Sequence, residues 1–399
     1  MKEMRIMAIG EVCSTISDTY RGKTDEVTLI NTSDVLEGKV LNHARVPNKE
    51  LKGQFKKTFK KNDILYSEIR PQNKRFAFID FEPIDYIAST KLMVIRADTD
   101  KVLPMYLYFY LKSAPVIAKL QMLAETRSGT FPQITFTELS NLTIPVPNIT
   151  EQKAMVSIIK ALEDKIDCNT AINDNLLEQL NALYQEFSTR EAWNTVAIGD
   201  LADKIAMGPF GSNIKVSTFV PSGVTIISGN HLRGYFLEEP SYNYITEEHA
   251  ERLKNSVVYP GDVIFTHAGN IGQVAMIPDR CDYPRYVISQ RQFYLRCNKE
   301  KILPEYITLF FHSAEGQHEL LSYANQTGVP SLAQPASNLK KIVLPVPPIH
   351  IQEEWAALVR PIISHYQRNR LEMRALAALR DTLLPKLMSG EIDVSDINI

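Results

Sequence analysis

Cysteine is scarce. Cys13, Cys168, Cys281 and Cys297 are the four in 399 residues, and no two stand in a CxxC pair. That pattern speaks against a zinc site and a disulfide framework, and predicts buried or idle thiols. Long apolar runs are missing too. No segment approaches 18 uninterrupted apolar residues, so no transmembrane helix and no membrane partner are expected. Residues 1–10 lack the apolar core of a secretory signal, which predicts a cytoplasmic chain. Excess charge of one sign is also absent: 44 basic residues stand against 46 acidic, a net charge of −2. The strong overall basicity of many nucleic-acid binders is therefore not seen. A GxxxxGK[ST] phosphate loop is lacking, and Gly208-Pro209-Phe210-Gly211-Ser212 reads as a turn because no Lys-Ser/Thr follows. No metal ligands, no cofactor and no catalytic residue are assigned.

What is present is ordinary in amount and unusual in arrangement. An apolar fraction of 44% and a charged fraction of 23% are those of a globular protein, and the length predicts two or three domains. Charge is unevenly placed. Residues 1–148 hold 21 basic and 17 acidic residues, whereas 149–190, 191–348 and 349–399 are each slightly acidic. Between Lys49 and Arg75 nine basic residues meet three acidic ones, a run that usually means a solvated surface.

The organising stretch occurs twice. Pro145-Val146-Pro147 leads through Glu151-Gln152 into a helical pattern ending near Phe187, and Pro345-Val346-Pro347 leads through Ile351-Gln352 into another ending at Leu387. Apolar residues of the first fall at Met155, Ile159, Leu162, Ile166, Leu176, Leu180, Leu183 and Phe187, in steps of three and four. The same steps 200 positions on meet Trp355, Val359, Ile362, Tyr366, Leu376, Arg380, Leu383 and Leu387. Two helices of ~55 Å, at 1.5 Å per residue, would bury these stripes on each other as a coiled coil. A parallel pair would set Arg380 against Leu180, an unpaired charge in a core, so antiparallel pairing is predicted. Centred on Asn169 and Asn369, it makes these two the register residues. It also sets Leu180 against Leu358 and Ile159 against Leu379, and frees Arg380 from the seam. Pro361 should bend the second helix or delay its regular start.

The segments before each helix echo one another. Ala8-Ile9-Gly10 matches Ala197-Ile198-Gly199, Asp63-Ile64-Leu65 matches Asp262-Val263-Ile264, and Tyr86-Ile87-Ala88-Ser89 matches Tyr286-Val287-Ile288-Ser289. Short β-branched and aromatic runs broken by Gly, Pro and Asn read as mixed α/β domains. The fold class is thus α+β: two mixed α/β domains joined by two long helices in an antiparallel coiled coil, with a pseudo-twofold repeat. The predicted boundaries are 1–148, 149–190, 191–348, 349–390 and a tail, 391–399.

These residues carry a family resemblance. The two helix starts, the duplicated plan and the tail Leu379-Arg380-Asp381-Thr382-Leu383-Leu384-Pro385-Lys386-Leu387-Met388-Ser389-Gly390-Glu391-Ile392 resemble the specificity (S) subunit of type I restriction–modification systems. Gly208 to Ser212 is similar to a turn of that family's target-recognition domains, whereas the first domain has Asp18-Thr19-Tyr20-Arg21-Gly22 in the equivalent region. The resemblance implies a subunit that binds double-stranded DNA, positions two methylation (M) subunits and joins restriction (R) subunits in the full complex. Chemistry would belong to those partners. In agreement, no Asp/Asn-Pro-Pro-Tyr tetrad occurs, and the nuclease-like Glu163-Asp164-Lys165 falls on the outer face of the first helix.

Loops after matched strands are the candidate DNA contacts, because scaffolds present function on loops. They comprise Arg70, Gln72, Asn73, Lys74 and Arg75 after one strand, and His267 and Asn270 after its counterpart. Lys91 matches Gln290 and Arg291, and Arg127 and Thr130 match Asn325 and Gln326. Arginine suits guanine, Asn and Gln suit adenine, and lysine serves phosphate as readily. Because the two sets differ, an asymmetric bipartite target is expected, its unread spacer set by the helices. Residues 383–392 are expected to dock M subunits, so that deleting 383–399 would leave both domains folded. Two other classes stay open, a DNA-modifying enzyme and a coiled-coil scaffold that binds no DNA.

Overall fold

The structure, a computed structural model, describes residues 4–49, 53–126, 132–238, 241–325 and 328–394. It divides into two compact units, one of residues 1–169 with 371–399 and one of residues 170–370. The duplication extends to their topology. Among the described residues the first unit has an antiparallel sheet in the order Cys13–Ile16, Leu92–Ala97, Ile64–Ser67, Phe76–Phe78. The second has Ala202–Met207, Gln292–Cys297, Val263–Thr266, Val274–Met276 in the same order. Each unit adds a sheet with one parallel pair, Glu26–Ile30 beside Tyr86–Ser89 and Val224–Ile227 beside Tyr286–Ile288.

Burial explains why the central strands read as unbroken apolar runs rather than alternations. Ile64 and Tyr66 face one core while Leu65 faces another; Val263 and Phe265 face one while Ile264 faces another. A strand covered on both faces has no polar side to show. A buried carboxylate precedes each strand and is neutralised by a two-pronged ion pair. Arg96 donates to both oxygens of Asp63 at 2.8 and 2.7 Å, and Arg296 to both of Asp262 at 2.8 and 2.6 Å. These bonds hold both guanidinium pKa values above the ordinary arginine range.

The repeated glutamine also has a structural reason. Gln152 is fully buried; its carbonyl accepts from Leu103 N at 2.7 Å, and its amide donates to Lys101 O and Pro147 O at 3.0 and 2.9 Å. Gln352 repeats this with Leu303 N, Lys301 O and Pro347 O at 2.9, 3.1 and 2.7 Å. Tyr106 and Tyr306 add bonds to Pro145 O and Pro345 O. Each long helix is thus pinned at its start to the shorter helix, Pro104–Leu111 or Pro304–His312, of its own unit.

The long helices are Ile149–Thr189, the central helix, and Ile349–Ser389, the distal helix. Every residue of the predicted central stripe is buried or half-buried, Asn169 and Asn173 included. Pairing is antiparallel. In the first unit Met155 and Ile159 share a core with Leu384 and Leu387; in the second Leu180 and Phe187 share one with Trp355 and Val359. Phe187 stacks on Trp355 with ring centres 5.1 Å apart.

The register departs from the symmetric one. Asn369 donates to Asn173 at 3.0 Å rather than meeting Asn169, and Asn169 donates to Glu372 at 2.9 Å. Partners therefore sit about one helical turn from the positions set by matching the two asparagines. Leu358 and Leu379, expected in the seam, are 60% and 47% exposed. Arg380 stays beside it, because a carboxylate meets it there: Glu163 lies 3.6 Å from Arg380 and also takes a hydrogen bond from Lys112. Glu163 is thus no outward-facing charge. Burial pushes the Lys112 ammonium below the usual lysine range, and Glu163 opposes that shift. Pro361 does not delay the distal helix, which is helical from Ile349 onward.

The tail is a further correction. Leu384, Leu387, Met388 and Val394 are buried in the core of the first unit, so a chain ending at 382 would lack part of that core.

Candidate nucleic-acid interface

Three backbone hydrogen bonds recur in both units and gather the loops proposed from sequence. In the first, Glu68 N donates to Lys91 O at 3.0 Å, Arg70 N to Pro132 O at 3.1 Å and Ile134 N to Glu68 O at 2.8 Å. In the second, His267 N donates to Arg291 O at 2.8 Å, Gly269 N to Pro330 O at 2.9 Å and Leu332 N to His267 O at 2.8 Å. Single bridges, Ile69 to Gln133 and Ala268 to Ser331, complete the match. Each unit therefore brings three loop segments together where Ser67 or Thr266 leaves its sheet.

In the first unit Arg70, Gln72, Asn73, Lys74 and Lys91 are exposed and Arg75 is half-buried. Their roles already differ. Arg75 donates to Ser33 O and Val35 O at 3.0 and 3.3 Å, which ties its guanidinium to the backbone. Lys74 pairs with Glu37 at 2.8 Å, and Lys91 lies 3.7 Å from Glu68. Arg70 and Lys74 cap the turn Pro71–Asn73 with φ of 45° and 52°, left-handed values that side chains with a Cβ rarely adopt. The residue equivalent to Arg70 is Gly269, with φ of 88°. The second unit meets this backbone demand with glycine, and the first meets it with arginine.

In the second unit Asn270, Gln290, Arg291 and Asn325 are exposed and His267 is half-buried. His267 Nε2 donates to Gln290 O at 3.0 Å. Asn325 pairs in register with Ser331, next to the bridge at Ala268. Gln290 reaches the other way: its amide donates to Gly211 O and, at 3.0 Å, to Ile214 O. That contact joins to the set the loop of Gly208–Ser212, the turn that resembles one in the family's target-recognition domains. Phe210 within it is 76% exposed. Arg127, Thr130 and Gln326 lie outside the described residues.

Among the described residues no three His, Cys, Asp or Glu side chains are grouped to hold a metal ion, and no helix is long and apolar enough to cross a membrane. The type I restriction modification DNA specificity domain matches the chain twice, over residues 1–178 and 190–372. The chain belongs to that family. It is a DNA sequence-specificity subunit, and each match spans one copy of the duplicated plan.

Relatives agree in kind. The type I restriction enzyme HindI specificity subunit of Haemophilus influenzae is 42% identical over 189 residues, covering 47% of this chain and 41% of the relative. The MjaIX specificity subunit of Methanocaldococcus jannaschii is 22% identical over 355 residues, covering 79% of this chain and 77% of the relative. Among solved structures, the type I restriction–modification S subunit of M. genitalium has a TM-score of 0.57 at 14% identity, covering 99% of this chain and 98% of its own. That likeness concerns the fold alone, and it extends over both copies of the specificity plan.

Proposed function

We propose that the chain is the non-catalytic reader of a cytoplasmic type I restriction–modification complex. Each globular domain (1–148 and 191–348) reads one half of an asymmetric bipartite site in double-stranded DNA. The helical segments (149–190 and 349–390) set the unread spacer and dock two methylation subunits, with restriction subunits joining the full complex. The observation that carries this reading is the recurring set of three backbone bonds. It presents three loops identically in both domains while their side chains differ, with Arg70, Gln72, Asn73 and Lys91 in one and His267, Asn270, Gln290, Arg291 and Asn325 in the other. A fixed scaffold with variable polar tips is what separate base readout at two half-sites requires. Exchanging residues 1–148 for the first domain of another specificity subunit is expected to change one half of the methylated motif. Sequencing of methylated DNA from cells carrying the chimera checks this, and a change in both halves would refute independent reading.

Arg70 gives a sharper test. Arginine in the left-handed region costs about 1–2 kcal/mol, partly offset in an Arg70→Gly variant by the greater freedom of unfolded glycine. Relief of that strain should keep R70G folded at ordinary temperatures. Binding to the cognate duplex should nonetheless weaken roughly tenfold, because a bidentate arginine–guanine contact is worth about 1–3 kcal/mol. Lower stability with unchanged binding would assign Arg70 to folding instead.

A further inference from the structure

Both units place an aromatic residue at the same point beyond the same strand. Ile16 faces Val94 and Ala206 faces Tyr294, matching positions of the repeat; Tyr20 follows Ile16 by four residues and Phe210 follows Ala206 by four. In the first unit the ring is tied down, since Tyr20 Oη donates to Asp85 at 2.7 Å and lies 2.9 Å from Thr24 Oγ1. Phe210 has no hydroxyl to anchor it, and its side chain stands largely in solvent.

The loop beneath it is nonetheless held firmly. Gly208 N donates to Gln292 O at 2.8 Å, and a Cβ on Gly208 would come within 2.0 Å of Ser289 O. Gln290 binds two of the loop's carbonyls, and His249 Nε2 donates to a third, Asn213 O, at 2.8 Å. Gly211 turns the chain with φ of +60°. The result is a bare aromatic ring on an anchored loop, one side-chain contact away from Gln290 and its neighbour Arg291.

We propose that Phe210 is a base-stacking residue, its ring set against an unstacked or kinked step of the half-site read by the second unit. The chemistry fits a nucleobase. Every base offers a π-face, apolar side chains wedge base steps apart, and such stacking changes affinity measurably without any phosphate contact. The proposal rests on the DNA-reading function above and goes beyond it by naming how the duplex is deformed.

The experiment uses the full chain with its methylation subunit and a duplex carrying the motif that the host genome shows methylated, with 2-aminopurine placed at each second-half position in turn. The parent is expected to bind and to raise fluorescence at one step. Phe210→Ala should abolish that signal and weaken binding about ten- to a hundredfold, with the salt slope of binding unchanged because no phosphate contact is lost. Phe210→Trp should retain both. Melting of all three proteins should coincide, as the ring stands largely in solvent. Equal binding and fluorescence by F210A would overturn the proposal while leaving the DNA-reading function intact. So would loss of the methylation subunit from F210A in the absence of DNA, which would mark Phe210 as a protein contact. A parent that failed to bind the motif would overturn both readings.

Discussion

Gln352→Ala is expected to lower the stability of the second unit by about 3–5 kcal/mol. The substitution leaves Leu303 N, Lys301 O and Pro347 O without their partner in a site with no exposure. A buried polar group left unsatisfied costs about 1–3 kcal/mol, and three are left at once. For a unit of this size each kcal/mol moves the midpoint by about 2–4 °C, so its transition should fall by roughly 10 °C. Gln152→Ala should do the same to the first unit, where Leu103 N, Lys101 O and Pro147 O are stranded. Scanning calorimetry of the full chain separates the effects if the two variants lower different transitions. The exposed Gln179 supplies the control, since Q179A should move neither. A shift of under 2 °C in Q352A would mean that the helix start is held by packing alone.

That glutamine shows what a sequence discloses and what it withholds. Its recurrence 200 residues apart marked the helix starts, and the duplicated plan, the mixed α/β domains and the antiparallel helices all followed from the repeat. The partners of Gln152 did not, because they are backbone groups and backbone leaves no pattern in a sequence. The register was misjudged for a related reason. A stripe in steps of three and four looks the same after a shift of one turn, so the choice fell on pairing Asn169 with Asn369. The structure instead has Asn369 on Asn173 and Asn169 on Glu372, a residue given no part in the prediction. Arg380 pointed to the right direction of pairing but not to its own place beside the seam. An arginine in a seam is costly only if unpaired, and Glu163, placed on an outer face by its neighbours, is its partner.

The candidate interface was legible as loops and not as roles. Strand ends located Arg70, Lys91, His267 and Arg291, and the three shared backbone bonds bring these segments together. Nothing in the sequence separated Arg75, whose guanidinium binds Ser33 O and Val35 O, from Arg70 five residues earlier. Positive φ is equally silent at a non-glycine residue; only the alignment of Arg70 with Gly269 exposes it. Phe210 was read as part of a turn, although its alignment with Tyr20 was a signal in plain sight.

Removing residues 383–399 is expected to unfold the first unit and spare the second. The deleted stretch contributes Leu384, Leu387, Met388 and Val394, each at most 4% exposed, to the core formed with Ile159, Tyr106 and Leu107. Full burial of such side chains is worth about 1.5–3 kcal/mol apiece, or on the order of 8 kcal/mol together. That is comparable with the whole stability of an ordinary domain, about 5–15 kcal/mol. The second unit draws its core from residues 170–370 and loses nothing. Hydrogen exchange should show collapsed protection across Ile64–Ser67 and Leu92–Ala97, with Val263–Thr266 and Gln292–Cys297 as protected as before. Leu387→Ala should give a graded form of the same result, about 2–5 kcal/mol. Any loss of complex assembly by the truncated chain would then follow from unfolding, so docking of a methylation subunit must be probed at exposed tail positions such as Thr382 and Ser389. Full protection of both sheets in the truncated chain would return the tail to a docking role alone.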